Sequence, residues 1–266
     1  MLRTRLATAA IALPTLWLLI QYLWPPLFTA FIVTVVAIGL FEYGSMAFPD
    51  DRPAIVATVV FGLLVAAGVI TGQLAWAGAG LFVAILGGMC FPLARHGDLT
   101  LAVNRLGLLV LGVLYVGFLM PHVILLRHQE PEGWRWVLFT VFVAMGSDSG
   151  GYFAGRFLGK HKLAPAISPS KTIEGAVGAV AGAMLIAWLA SLWFFDRRPA
   201  GEALVLAVAI SVLAQFGDLC ESALKRAFGA KDSGWIIPGH GGILDRLDSL
   251  LFPFVFAYYY AVFPRV

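Results

Sequence analysis

The sequence predicts an all-α, polytopic integral membrane protein, and three observations carry that expectation. Of 266 residues, 60% are hydrophobic and only 12% are charged, whereas a water-soluble domain carries about 25% charge. Mean hydropathy is +0.88. Apolar runs of the roughly 20 residues that a helix needs to cross a bilayer recur along the whole chain. This composition excludes a water-soluble globular enzyme, a disordered protein and a nucleic-acid-binding domain, so no nucleic-acid partner is expected. Cys90 and Cys220 are too few and too far apart for a zinc site or a disulfide framework.

About nine transmembrane helices are expected in order, over 6–24, 27–48, 54–72, 74–93, 106–126, 136–157, 175–195, 203–221 and 247–264. Pro25-Pro26 separates the first two, because proline cannot continue a helical hydrogen-bond ladder. Arg3 and Arg5 ahead of an apolar run resemble a signal peptide. No small-residue cleavage pattern follows, so an uncleaved first helix is expected. Only Gly72-Gln73 separates the third span from the fourth. Residues 1–130 are expected to form a scaffold of membrane helices and residues 131–266 a catalytic membrane region.

Nine spans place the termini on opposite sides of the bilayer. With the N-terminus cytoplasmic, the outer segments hold only Arg127, Arg135, Arg197, Arg198 and Arg265, and the other thirteen of the 18 Lys and Arg lie inside. The positive-inside bias favours that orientation. The expectation is a multi-pass protein of the cell membrane with two long cytoplasmic loops, about 158–174 and 222–246. Water-soluble substrates must be met by these loops and the helix ends beside them, on the cytoplasmic side.

Glu42, Asp148, Asp218 and Glu221 fall inside or at the edge of apolar spans. A carboxylate at mid-bilayer costs about 2.5–3.5 kcal/mol on insertion scales, so it is usually paired or functional. Glu42 reads as an interfacial or paired structural residue. Asp148 sits in Gly146-Ser147-Asp148-Ser149-Gly150-Gly151-Tyr152, a polar, glycine-rich interruption of an apolar run, and reads either as a site residue beside a cavity or as a buried polar contact. Gly151, Gly155 and Gly159, like Gly178 and Gly182, recur every four residues, which suits close helix packing.

The densest chemistry runs from Gln215 to Ser249. Helical spacing puts Asp218, Glu221, Ser222 and Lys225 on one face, and Asp245 and Asp248 are three apart at the start of the last span. Pro238-Gly239-His240-Gly241-Gly242 lies between them. Glycines there allow positive φ and close backbone approach to a ligand, and exposed N–H groups beside a helix start suit phosphate oxygens. Lys225, Arg226, Lys231 and Arg246 surround this loop. Four carboxylates folded together would repel one another without a cation. Hard oxygens suit Mg²⁺, held by one or two carboxylates plus substrate phosphates. Acids, bases and a glycine-rich loop together fit phosphoryl or nucleotidyl transfer.

The other long loop carries Arg156, Lys160, Lys162 and Lys171 and no acid between Asp148 and Glu174. Its Ser168-Pro169-Ser170-Lys171-Thr172 stretch reads as a phosphate-binding segment, or as a helix cap by Ser170 or Thr172 with topogenic charge. A P-loop is absent, which excludes an ATPase of that type. His240 could serve as a general base, although nothing in the spacing demands it. Cys220 lies off the acidic face and suits packing.

At this point the residues resemble a known family. Ser222-Ala223-Leu224-Lys225-Arg226, then Lys231-Asp232-Ser233-Gly234, then the run from Ile237 to Asp248 resembles the signature of phosphatidate cytidylyltransferases, also called CDP-diacylglycerol synthases, with no departure over its 27 positions. Ser168 to Thr172 with Glu174-Gly175 is similar to a second family segment, and Asp148 with Tyr152 to a third. The resemblance covers roughly the last 120 residues. It implies transfer of CMP from CTP to phosphatidic acid, giving CDP-diacylglycerol and pyrophosphate. It also implies an all-helical membrane fold, a place in phospholipid biosynthesis and Mg²⁺, with a second cation and a homodimer left open.

Carried onto this chain, the resemblance implies metal and nucleotide binding by Asp218 and Asp245. Glu221, Asp248 and Asp148 are the further candidate metal ligands. Lys225 and His240 join Asp218 and Asp245 as catalytic candidates. Lys225, Arg226, Lys231, Gly241, Gly242 and Arg246 are candidates for CTP, and Ser168, Ser170, Lys171 and Thr172 for the phosphatidate phosphate. A cation-coupled transporter and another CTP-dependent lipid kinase are the competing readings. A transporter is expected to show polar residues at matched depth in repeated halves, and here they gather in the second half.

Overall fold

The computed structural model describes residues 14–95, 98–234 and 241–263. The span expected at about 6–24 falls outside them except for helix α1, residues 14–22. The following helices are α2 Pro25–Ala47, α3 Arg52–Ile70, α4 Leu74–Arg95 and α5 Leu99–Gly112. A π-helical turn, Val113–Phe118, leads to α6 His122–Arg127 and α7 Gly133–Leu158. Strands β1 Lys162–Ala164 and β2 Ser168–Thr172 precede α8 Ile173–Ser191, α9 Ala200–Ala227 and α10 Leu244–Val262. Among the described residues the protein is all-α apart from one short hairpin. Among the described residues, six segments are long and apolar enough to cross a membrane: α2, α3, Leu99–Arg127, α7, α8 and α9. The apolar part of α4, Ala75–Cys90, is shorter, and α10 carries Asp245, Arg246 and Asp248 at its start.

Local chemistry sets the helix boundaries. Pro25 opens α2 from a position whose N–H would be unpaired anyway. Asp51 caps α3, accepting from Ala54 N at 3.3 Å, and Asp98 caps α5, accepting from Thr100 N at 2.8 Å. Thr172 caps α8, its Oγ1 accepting from Gly175 N at 3.1 Å.

Four expectations are corrected. The span expected at 106–126 lies within Leu99–Arg127, where α5, a π-helical turn and α6 follow one another in place of one regular helix. At Gly117 a Cβ would lie 2.6 Å from Gly62 O, so this turn is packed against the backbone of α3. The segment 222–246, expected as a loop, opens as helix, because α9 continues to Ala227 with Lys225 and Arg226 in its last turn where the dipole favours cations. The loop 158–174 folds as an antiparallel hairpin pairing Lys162 with Thr172 and Ala164 with Ser168. Residues 146–152, read as an interruption, are regular helix inside α7.

That last correction follows from packing. A Cβ at Gly150 would lie 2.3 Å from Gly178 O, and one at Gly182 would lie 2.4 Å from Gly146 O. The two glycine rows let α7 and α8 meet backbone to backbone, so the polar stretch needs no irregular conformation. Ser147 Oγ and Ser211 Oγ, 2.8 Å apart, join α7 to α9. One apolar cluster then unites both halves of the chain, from Val36, Leu40 and Tyr43 of α2 to Trp136 and Phe139 of α7, Leu206 and Ile210 of α9 and Leu251 of α10.

Helices α7 to α10 run alternately up and down. The end of α7, the start of α8, the end of α9 and the start of α10 therefore share one end of the bundle. The opposite end is tied by Arg135 to Asp196 at 2.6 Å, Arg198 to Glu202 at 3.1 Å and Tyr260 Oη donating to Glu202 at 3.2 Å. Trp17 stacks on Trp193 there with ring centroids 4.9 Å apart. The buried Arg127 donates to the carbonyls of Ile20 and Gln21, satisfying the end of α1.

Candidate active site

The hairpin end of the bundle is built around a clasp. Glu174, in the first turn of α8, accepts from Lys160 N at 3.0 Å and His161 N at 3.2 Å, and its Oε1 meets His161 Nδ1 at 2.6 Å. Ile173 N donates to His161 O at 2.9 Å. These contacts fold the chain back so that Lys171 points across to α9, where its Nζ forms an ion pair with Asp218 Oδ2. Burial holds the Lys171 pKa below the usual lysine value, against the opposing pull of Asp248 and Asp148.

Asp218 follows Gly217, a point of close approach between α9 and α10. A Cβ on Gly217 would lie 2.2 Å from Asp248 O. This approach sets Glu221 and Lys225 of α9 against the start of α10. Lys225 Nζ lies 2.6 Å from Glu221 Oε2 and 2.6 Å from Asp245 Oδ1. Asp245 Oδ2 accepts from Ser233 N at 2.8 Å, Ser233 Oγ at 2.8 Å and Gly242 N at 2.9 Å. Asp248, one turn on, is buried and accepts from Ser249 N at 2.6 Å.

A cavity of about 580 Å³ opens between these elements. Asp148, Tyr152 and Arg156 of α7 form one wall, Ser170, Lys171 and Thr172 of the hairpin a second, and Gln215 and Asp218 of α9 with Asp245 and Asp248 of α10 a third. Arg156 donates to Tyr152 Oη at 2.6 Å and so stays in its own wall. Carboxylates separated by 100 residues of sequence thus face one space, with an ammonium group among them.

The remaining candidates take other places. Glu221 is fully buried and lies with Lys225 behind the cavity, not on its wall. Arg226, Lys231 and Arg246 are exposed around the same end of the bundle. Ser168 lies at the start of β2, away from the cavity lining. Thr172 lines the cavity but is engaged as the α8 cap. His240 lies outside the described residues.

Among the described residues, no three acidic, His or Cys side chains converge as a ready metal-ligand cluster. The acids are paired with lysines instead: Lys171 with Asp218, and Lys225 shared between Glu221 and Asp245. Gly241 and Gly242, the candidates for offering backbone to a phosphate, lie against side chains of the protein itself. A Cβ on Gly241 (φ +81°) would lie 2.8 Å from Asp245 Oδ2, and one on Gly242 would lie 2.2 Å from Ser233 Oγ. Both glycines wrap the protein's own carboxylates, and the Gly242 N–H is spent on Asp245.

Sequence reasoning missed Gly217 and Ser233. Ser233 lies within the signature stretch, yet its contacts reach Asp245, 12 residues along the chain, and Glu42, 191 residues away, and no spacing rule points to them. Tyr115, carried on the π-helical turn, was also missed. Its hydroxyl is buried within electrostatic reach of Glu221 and Asp248 and makes no hydrogen bond among the described residues.

Comparison with known proteins places this architecture. A family profile described as "Cytidylyltransferase family" matches residues 3–263. The phosphatidate cytidylyltransferase of Bacillus subtilis (strain 168) is 41% identical over 160 residues, covering 60% of this chain and 60% of that protein. The protein of that name from Brucella suis biovar 1 is 47% identical over 145 residues, 53% of this chain and 52% of its own length. That from Staphylococcus epidermidis is 42% identical over 143 residues, 54% of each. The chain thus spans about half to three-fifths of the length of the curated relatives it matches. With the profile running from the first helix to the last and the charged cavity closing the hairpin end of its bundle, the chain belongs to the cytidylyltransferase family.

Proposed function

We propose that the chain is a phosphatidate cytidylyltransferase, transferring CMP from CTP to phosphatidic acid at the hairpin end of the bundle. The observation that carries this reading is the cavity in which Lys171 meets Asp218 beside Asp148, Asp245 and Asp248. The family membership and the names of the relatives support it.

The chemistry asks little of a base. A phosphate monoester with a second pKa of about 6 is mostly dianionic at pH 7. A phosphatidate oxygen forms a bond to the α-phosphorus of CTP. The bond from that phosphorus to the bridging oxygen breaks, and pyrophosphate leaves with the electron pair. The obstacle is repulsion between two polyanions, so the site must supply positive charge and alignment.

This chain's residues divide that work. Lys171 binds the lipid phosphate, exchanging its partner Asp218 for substrate. Arg226, Lys231 and Arg246, exposed at the same end, draw the triphosphate in by long-range attraction. Lys225, clamped between two carboxylates, holds Asp245 in place and does not itself hold the triphosphate. The donor set fits a divalent cation: Asp148, Asp218, Asp245 and Asp248 offer hard oxygens from three helices around one cavity, and Mg²⁺ takes one or two carboxylates together with substrate phosphates. Asp218, Asp245 and Asp248, with Asp148 beside them, would hold Mg²⁺, which when bound supplies charge neutralisation between the phosphates. The acyl chains stay in the bilayer beside α7 and α8, which is why the site is built into a multi-pass membrane protein, and the positive-inside bias supports a cytoplasmic site.

A CTP-dependent assay with phosphatidate in detergent tests the reading, run with and without a chelator. CDP-diacylglycerol should form and chelation should stop it; no product from purified, folded chain would sink the assignment. Lys171→Ala is expected to raise the KM for phosphatidate about 10- to 100-fold, the cost of one lost hydrogen bond between charged groups. The KM for CTP should stay nearly unchanged, and a loss confined to CTP would reject the lipid-phosphate role.

A further inference from the structure

We propose that Glu42 is the positioning residue through which the N-terminal membrane helices set the place of Asp245. Glu42 stands on α2, about 200 residues from the site in sequence, and is 2% exposed. Its Oε1 accepts from Ile243 N at 2.9 Å, and its Oε2 accepts from Leu244 N at 2.9 Å. The first N–H groups of any helix lack intrahelical acceptors, and they need an outside partner when buried. Residue Ile243 at the N-cap of α10 has no side-chain oxygen to offer. The cap that α10 lacks in its own sequence is supplied by α2, and a carboxylate there also meets the positive end of the helix dipole.

The same carboxylate reaches the site by a second route. Ser233 Oγ lies 3.3 Å from Glu42 Oε2 and 2.8 Å from Asp245 Oδ2, and it accepts from Asp245 N at 3.2 Å. One hydroxyl therefore stands between the two carboxylates and fixes their separation. The surrounding chain makes room for this arrangement. A Cβ on Gly234 would lie 2.5 Å from Glu42 Oε1, and one on Gly242 would lie 2.6 Å from Oε2. Asp245 is the second residue of α10, so whatever holds the first turn of that helix holds Asp245. This inference rests on the proposed cytidylyl transfer for its kinetic readout and on geometry alone for its structural one.

The test uses the full chain in detergent. Glu42→Gln keeps the shape but sets an NH₂ group against a backbone N–H. The kcat is expected to fall about tenfold or more, as for one lost hydrogen bond to a charged group. The KM for phosphatidate should hold, since Lys171 is untouched. Glu42→Asp, which keeps the charge but withdraws it by one methylene, should recover part of the kcat. Hydrogen exchange over residues 243–245 should quicken about tenfold in Glu42→Gln, while α7 and α8 keep their protection. Wild-type kcat in Glu42→Gln, or a uniform loss of protection through α7 to α10, would overturn the inference. Unchanged exchange over 243–245 overturns it whether or not the chain turns over. A wild-type chain that makes no CDP-diacylglycerol instead overturns the functional reading, and the exchange comparison then decides this one by itself.

Discussion

Asp245→Asn is expected to lower kcat by at least about 10²–10³-fold, the scale seen when one preorganised electrostatic group is removed from a transition state. The carboxylate is held by four contacts: Lys225 on Oδ1, and Ser233 N, Ser233 Oγ and Gly242 N on Oδ2. An amide can match only one side. With its NH₂ toward Ser233 and Gly242 it faces donors, and with its NH₂ toward Lys225 it faces an ammonium group. Either choice leaves a buried donor unpaired, at about 1–3 kcal/mol. A modest fall in the thermal midpoint should therefore accompany a much larger fall in turnover. The two separate cleanly when kcat is measured per folded molecule in detergent. Retained turnover would contradict the role of Asp245, and a midpoint loss large enough to explain the activity loss would make it a structural residue.

The contrast between Asp245 and its neighbours shows what was legible beforehand. Long apolar runs announced the membrane helices, because bilayer thickness imposes a length that needs no tertiary information. The acids of α9 and α10 were legible as a cluster, because helical spacing alone puts Asp218 near Glu221 and Asp245 near Asp248. Their counter-ions were not. Lys171 reaches Asp218 across 47 residues, and Lys225 reaches Asp245 across 20. Those pairings depend on a hairpin of three- and five-residue strands, too short for a period-two pattern and held mainly by Glu174. The face formed by Asp218, Glu221, Ser222 and Lys225 was legible beyond the apolar run, because hydropathy falls at Ser222 while helical geometry continues. The polar stretch of α7 looked irregular because its partner, the glycine row of α8, can be matched to it only in three dimensions. Glu42 was legible as a carboxylate out of place, but not as a cap, since the helix it caps begins about 200 residues later.

Gly217→Ala should be nearly as damaging as the loss of Asp245, although it removes no functional group. The added methyl would lie 2.2 Å from the backbone oxygen of Asp248 and 3.5 Å from Phe252 Cδ2. The nearer obstacle is backbone, so no side-chain rotation relieves it, and α9 and α10 must part. Helix α10 cannot easily slide to comply, because its first turn is tied to Glu42 and Ser233. Overpacking of this kind costs about 1–3 kcal/mol, partly offset by about 1 kcal/mol of helix propensity when alanine replaces glycine. The net stability loss should be small beside the catalytic one, since a shift of even 1 Å between Asp218 and Asp248 can cost about 10²-fold in rate. Gly201→Ala supplies the control within the same helix: nothing lies within 4 Å of its added Cβ, so it should be neutral or slightly stabilising with full activity. Equal behaviour of the two variants would mean that the α9–α10 contact does not set the site, and that the acids tolerate more separation than a shared phosphate-binding cavity allows.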